Sequence, residues 1–328
     1  MTGAKTSLII VWAFLAHWIV PGAAQETAGS FPARRVTIVV PSPPGSGTDL
    51  LARLLAGQLS KRWSEAVTVE NGSGIASGNV AAADFARSSP DGYKLMLCPP
   101  GPISTNGLLY KHLKYDPRKW VVISHLATVP YVLDVRKNFP ASTIQELIAI
   151  AKAKPNTITF GSAGPGGSGT LSEENFAAMA GIKLVTVPYR GLGPAQNDLI
   201  AGQVDTMFDT LTTSLPMHRA GIVKIIGVGS DHRASALPDV ETIAAAGLPG
   251  FRSLTWFGLV APPGTSEALA DRLNNDVVAI IKSPQVSEKL RAVQMEPVGS
   301  TRREAEQFFA AETKYWGRIV EEANVTLE

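Results

Sequence analysis

Two segments carry the residue types that hold an anion without a charged side chain. The first reads Pro44-Gly45-Ser46-Gly47-Thr48-Asp49 and the second Ser162-Ala163-Gly164-Pro165-Gly166-Gly167-Ser168-Gly169-Thr170. Each follows an apolar, β-branched run and precedes a helical pattern. At such a junction the first amide N–H groups of the helix lack acceptors and the dipole is positive, so an anion is stabilised by backbone alone. Glycine lets the backbone approach a ligand and adopt positive φ, and the hydroxyls of Ser46, Thr48, Ser162 and Ser168 can add donors. Either loop alone reads equally as a helix cap and tight turn. One loop in each half of the chain favours a shared ligand, because open α/β sheets bind beyond the carboxyl ends of their strands. Asp49 and Asp209 stand near strand ends, where each would either orient a ligand or cap a turn.

The second loop also spells G-x-G-x-x-G through Gly164, Gly166 and Gly169, and Arg190 follows the next strand, where a cation for a 2′-phosphate would stand. An NADP-dependent oxidoreductase is therefore the rival reading. Against it, no acidic residue ends that next strand, and the leader described below directs the chain out of the cytoplasm. A phosphate loop of the Walker kind starting at Gly161 fails, because Gly167 occupies the lysine position. The sequence contains no G-x-S-x-G nucleophile elbow. His112, His125, His218 and His232 lack zinc-site spacing and read as surface or loop histidines. Trp256 and Phe257 read as packing residues, and Cys98, the only cysteine, as a buried small hydrophobe. No cofactor, metal or catalytic residue is expected.

These loops need a scaffold, and 328 residues with 45% hydrophobic and 18% charged positions suffice for two α/β domains. Residues 1–24 read as a secretory signal peptide: a basic start at Lys5, an apolar run over 8–20, and small residues ending at Ala24, after which cleavage is expected. That run is shorter than the roughly 20 residues of a spanning helix, so a periplasmic, soluble mature protein is expected. A formal charge of +2 without a basic cluster gives no case for nucleic acid. Strands are expected over 36–40, 67–70, 93–98, 157–160, 183–187, 204–208 and 224–228, and helices over 50–59, 78–87, 144–152, 171–179 and 195–201. This alternation builds βαβ units on a mostly parallel sheet. A long extended segment over 121–135 crosses to the second domain and 256–260 returns; helices over 266–281, 284–292 and 303–322 pack back on the first. The expected domains are 25–125 with 250–328, and 126–249.

The chain resembles the substrate-binding proteins of tripartite tricarboxylate transporters, the Bug family. The resemblance rests on Pro44-Gly45 with Asp49, Val69-Glu70-Asn71, Pro90-Asp91-Gly92-Tyr93, Tyr115-Asp116-Pro117, Val187-Pro188-Tyr189-Arg190-Gly191, Gly202-Gln203-Val204-Asp205 and Trp256-Phe257-Gly258-Leu259, in that order. It implies a periplasmic-binding-protein-like (type II) clamshell of two α/β domains joined by two crossing strands. It also implies a monomeric receptor for a small carboxylate, recognised by backbone amides, hydroxyls and waters, with a membrane permease as partner. Carried over by position, the binding set is Gly45, Gly47, Thr48, Asp49, Ser162, Gly164, Gly166, Tyr189, Arg190, Gly191 and Asp209, to which the loop positions Ser46, Gly167, Ser168 and Thr170 are added. Ser46, Gly167, Thr170 and the prolines at 99, 100 and 102 depart from the family pattern, which leaves the ligand open. A binding protein acting as a sensor is the alternative of the same class.

Overall fold

The computed structural model describes residues 31–72, 78–162, 164, 168–189, 191–323 and 326–327, and all elements below lie within the unit Pro32–Glu328. The expected leader and its cleavage point lie outside the described residues. In chain order the elements are β1 (Val36–Val40), α1 (Gly47–Trp63), β2 (Val67–Asn71), α2 (Asn79–Phe85) and β3 (Lys94–Cys98). A π-helical turn (Gly101–Thr105) then runs into α3 (Asn106–Leu109). Next come β4 (Val121–Arg136), α4 (Ile144–Ala153), β5 (Thr159–Ser162), α5 (Ser168–Ala180), β6 (Val185–Pro188), α6 (Leu192–Ala201), β7 (Thr206–Thr210), α7 (Leu211–Arg219) and β8 (Val223–Val228). The chain closes with β9 (Leu254–Ala261), α8 (Glu267–Ile281), α9 (Pro284–Ala292), β10 (Glu296–Pro297) and α10 (Arg302–Ala323).

The strands run in the order β2-β1-β3-β9-β4-β7-β5-β6, with β8 and β10 on β4. β1 is parallel to β2 and β3, and β5 is parallel to β6 and β7. β4 joins the two parallel groups. Its first part pairs with β9 and its last residues with β7 and β8, as expected of the crossing over 121–135. At the crossing, Tyr131 N–H donates to Ser253 O and Gly229 N–H to Tyr131 O. A Cβ on Gly229 would stand 2.5 Å from Ser253 O, so only glycine permits this approach.

One apolar cluster under β5 and β7 includes Phe160, Phe176, Met207, Phe208 and Phe251. A second, under β1, β3 and β9, includes Val39, Phe85, Met96, Cys98 and Trp120. Helix α10 buries Ala305, Phe309, Trp316, Ile319 and Val320, a stripe at the three- and four-residue spacing of one helix face. Leu171 of α5 is fully buried against Trp316, Ile319 and Val320 of that face, so the helix behind the second loop is seated on α10.

Several boundaries differ from expectation. The strands expected over 157–160 and 204–208 lie two residues later, at Thr159–Ser162 and Thr206–Thr210, because pairing to β6 recruits Gly161 and Ser162 despite their low strand preference. Helix α7 is not expected from the sequence, because it contains threonines and an internal proline. His125 is corrected from the surface to the core. It is 5% exposed, its ring stacks on Phe308 at 4.2 Å, and burial brings its pKa down to about 4. His112 and His232 are exposed, while half-buried His218 accepts the Ile225 N–H at Nδ1.

Candidate functional site

The first loop is built around Asp49. Ser46 is the N-cap of α1, and its Oγ accepts the Asp49 N–H at 3.3 Å. The Asp49 carboxylate, 2% exposed, accepts the Gly45 N–H at 2.9 Å, Arg53 Nε at 3.0 Å and Asn71 Nδ2 at 2.9 Å. Burial alone would raise its pKa, but the bonds from Arg53, Gly45 and Asn71 hold it below the ordinary value. Asn71 also donates to Ser42 O and accepts from Arg53, so β2, the loop and α1 form one polar knot. Asp49 therefore braces the loop. Ser46 and Asp49 take up the third helical amide and Gly45's, which leaves the Gly47 and Thr48 amides, at the first two helical positions, without an intrahelical acceptor. A Cβ at Gly47 would lie 3.3 Å from Met295 Cε and 3.5 Å from Phe257 Cζ, so this loop packs against β9 and the segment after α9.

The second loop is internally bonded in the same manner. Thr170 Oγ1 lies 2.6 Å from Ser162 Oγ and donates to Gly164 O at 2.7 Å, and Gly164 N–H donates to Ser162 Oγ at 3.3 Å. Gly164 sits at φ +107 with Tyr189 O 3.3 Å from where its Cβ would be. Tyr189 N–H donates to Ser162 O, and Tyr189 OH donates to Asp198 at 2.6 Å, a bond that with the carboxylate's charge pushes the phenol up to about 12. Gly191, at φ +116, is the N-cap of α6 and supplies no side-chain cap. Gly169 meets Phe208 O at 3.2 Å from its Cβ position, so the third glycine of G-x-G-x-x-G serves helix-to-strand packing. Gly166, Gly167 and Arg190 lie outside the described residues.

Asp209 ends β7 and is 1% exposed. It accepts from Gln196 Nε2 at 2.8 Å, Thr213 Oγ1 at 2.7 Å and the Thr210 N–H at 2.6 Å, so it ties α6 and α7 to the strand. Burial raises its pKa against these bonds. Opposite it on β4 is Val132, whose neighbour Tyr131 is held at about 12 by burial and the Asp209 charge, opposed by a bond to Ser168. Asp134, fully buried on β4, accepts from Ser214 at 2.5 Å, and burial raises its pKa strongly. The structure thus brings Ser162, Gly164, Ser168, Thr170, Tyr189 and Asp209 to one region, and Gly45, Ser46, Gly47, Thr48 and Asp49 to another. Tyr131, Gln196 and Thr213 had no local signal in the sequence. Arg53 did have one, four residues after Asp49 on a helix.

Because β5, β6 and β7 are parallel neighbours, the starts of α5, α6 and α7 all lie at their common carboxyl edge, and the start of α1 lies at the carboxyl end of β1. This placement of helix N-termini suits an acidic small molecule held by amides. Among the described residues no group of histidine, cysteine and acidic side chains could hold a metal, and none of the helices is long and apolar enough to cross a membrane. The family model described as tripartite tricarboxylate transporter family receptor, TctC, matches residues 51–325.

The chain belongs to this receptor family. It is 36% identical over 296 residues to a UPF0065 protein from the tcbD-tcbE intergenic region of Pseudomonas sp. (strain P51), covering 89% of this chain and 87% of that one. It is 31% identical over 308 residues to BugT of Bordetella pertussis, covering 93% and 94%. Among solved structures it is similar to Rpa4515 of R. palustris with adipate, at TM-score 0.81 and 35% identity over 90% of this chain and 99% of that chain. MatC of Rhodopseudomonas palustris with bound malate gives 0.76 and 31% over 88% and 100%. Periplasmic binding protein BugD gives 0.78 and 33% over 91% and 100%. The fold is that of this family's α/β periplasmic binding proteins, and the function is solute binding.

Proposed function

We propose that this receptor works in the periplasm, captures a small carboxylate between two lobes, 25–125 with 250–328 and 126–249, and delivers it to the permease of a tripartite transporter. The observation that carries this reading is the set of helix starts at the carboxyl ends of β1, β5 and β6, where amides face the ligand and the acidic residues are held in bracing bonds. The carboxylate docks on the Gly47 and Thr48 amides, and the other end meets the second loop around Ser162 to Thr170 and the 189–191 turn. Relatives solved with adipate and with malate support a diacid of this size. Recognition by amides rather than by an exposed arginine makes affinity weakly dependent on salt. The test is a thermal-shift screen of the exported protein against C4 to C8 diacids, monoacids and NADP. A diacid at about 100 times its Kd should stabilise by roughly 2.7 kcal/mol; a response to NADP alone would overturn the reading.

A further inference from the structure

A cavity of about 520 Å³ lies beside the first loop, and none of the candidate binding residues lines it. Pro130, Leu211, Leu254, Met295 and Val298 supply its apolar wall. Its charged side chains are held in ion pairs and half to largely exposed, so they stand toward solvent. Arg233 donates to Pro238 O and Glu241, Arg291 to Glu296, Ser230 to His232 O, and Asp231 pairs with His232. Thr128 Oγ1 is 2.9 Å from His125 Nε2. Hydrocarbon laid against the apolar wall would be sheltered from water, with the charged groups left toward solvent. The volume suits part of an organic molecule. Met295 both lines the cavity and touches the first loop, its Cε lying 3.3 Å from the Cβ position of Gly47. Methionine is unbranched and re-packs readily around a guest.

We propose that this cavity is a subsite for the hydrocarbon or aromatic tail of a carboxylate whose acid group docks on the Gly47 and Thr48 amides, with Met295 swinging aside as the tail enters. The proposal rests on the carboxylate reading above and extends the ligand class to acids that carry an apolar branch or tail besides any group that meets the second loop. Calorimetric titration of the purified protein with acetate, butanoate, hexanoate and octanoate tests it. Affinity should rise by roughly fourfold per methylene once the tail passes Met295. Leu254→Trp and Val298→Trp, which fill the cavity from two sides, should flatten that rise and leave acetate unchanged. Because a variant can fail to fold, the wild-type protein with ¹³C-methyl methionine supplies a second readout. Octanoate should move the Met295 methyl resonance, assigned through Met295→Leu, and acetate should not. Binding of all four acids with no gradient, a gradient that survives both tryptophans, or a Met295 signal indifferent to octanoate overturns the subsite and leaves the receptor reading standing. Binding of none of the acids overturns the subsite, and the diacid screen above decides the carboxylate reading separately.

Discussion

Asp49→Asn should loosen the first loop, and the size of the effect follows from its bonds. One carboxylate oxygen accepts both the Gly45 N–H and Arg53 Nε, and the other accepts Asn71 Nδ2. An asparagine keeps one acceptor and turns a donor toward one of these groups, so at least one buried N–H is left unmatched. Turning Asn71 to compensate would break its bonds to Ser42 O and from Arg53. One unmatched buried group costs on the order of 2 kcal/mol; the Arg53 charge adds little, because its side chain is 53% exposed. In calorimetry at pH 7 the melting midpoint should fall by about 3 °C. The folded pKa of Asp49 lies below its ordinary value of 3.8, so the carboxylate's contribution is complete above that value and is lost as pH falls through the folded pKa. The gap between wild type and variant should therefore hold from pH 7 to about pH 4 and narrow below it. A variant melting within about 1 °C of wild type at pH 7, or a gap that widens in acid, would refute the bracing role.

Thr170→Val removes both hydroxyl bonds of the second loop; ligand affinity should fall while Thr170→Ser keeps it, as read by titration with the screened diacid. Leu171→Ala empties a fully buried site between α5 and α10 and should cost about 2–5 kcal/mol by denaturant unfolding. Glu173 is 3% exposed, and burial, eased by the Thr186 hydroxyl, takes its pKa to about 7. A folded pKa above the unfolded 4.5 means stability is lost as pH rises from about 4.5 to 7, so Glu173→Gln should gain on wild type over that window in a pH series of melts. A flat difference across the window would remove Glu173 from the pH dependence.

The alternation of β-branched runs with apolar helical stripes was enough to place the βαβ units, because hydrophobic period reports local structure directly. The two loops were legible as strand-to-helix junctions for a related reason: glycine and small hydroxyls there mark a tight turn or a helix cap. The crossing over 121–135 was legible too, since no 3.6-residue period fits it and β4 occupies it. What the residues at these loops do was decided by tertiary structure. Asp49 reads equally as a ligand-orienting acid or a turn cap, and its bonds to Asn71, from the next strand, and Arg53 give it a bracing role. Thr170 reads as a ligand hydroxyl until Ser162 and Gly164 are found on its oxygen. Asp209 gathers Gln196 of α6 and Thr213 of α7 onto one strand. His125 lies in the core because Phe308, 183 positions away in the chain, stacks on its ring. Sequence alone determined which segments could form strands, helices and amide-rich turns, because those depend on neighbours within a few residues. Only the fold decided which polar side chains face a ligand and which brace the loops, because each partner arrives from a distant segment.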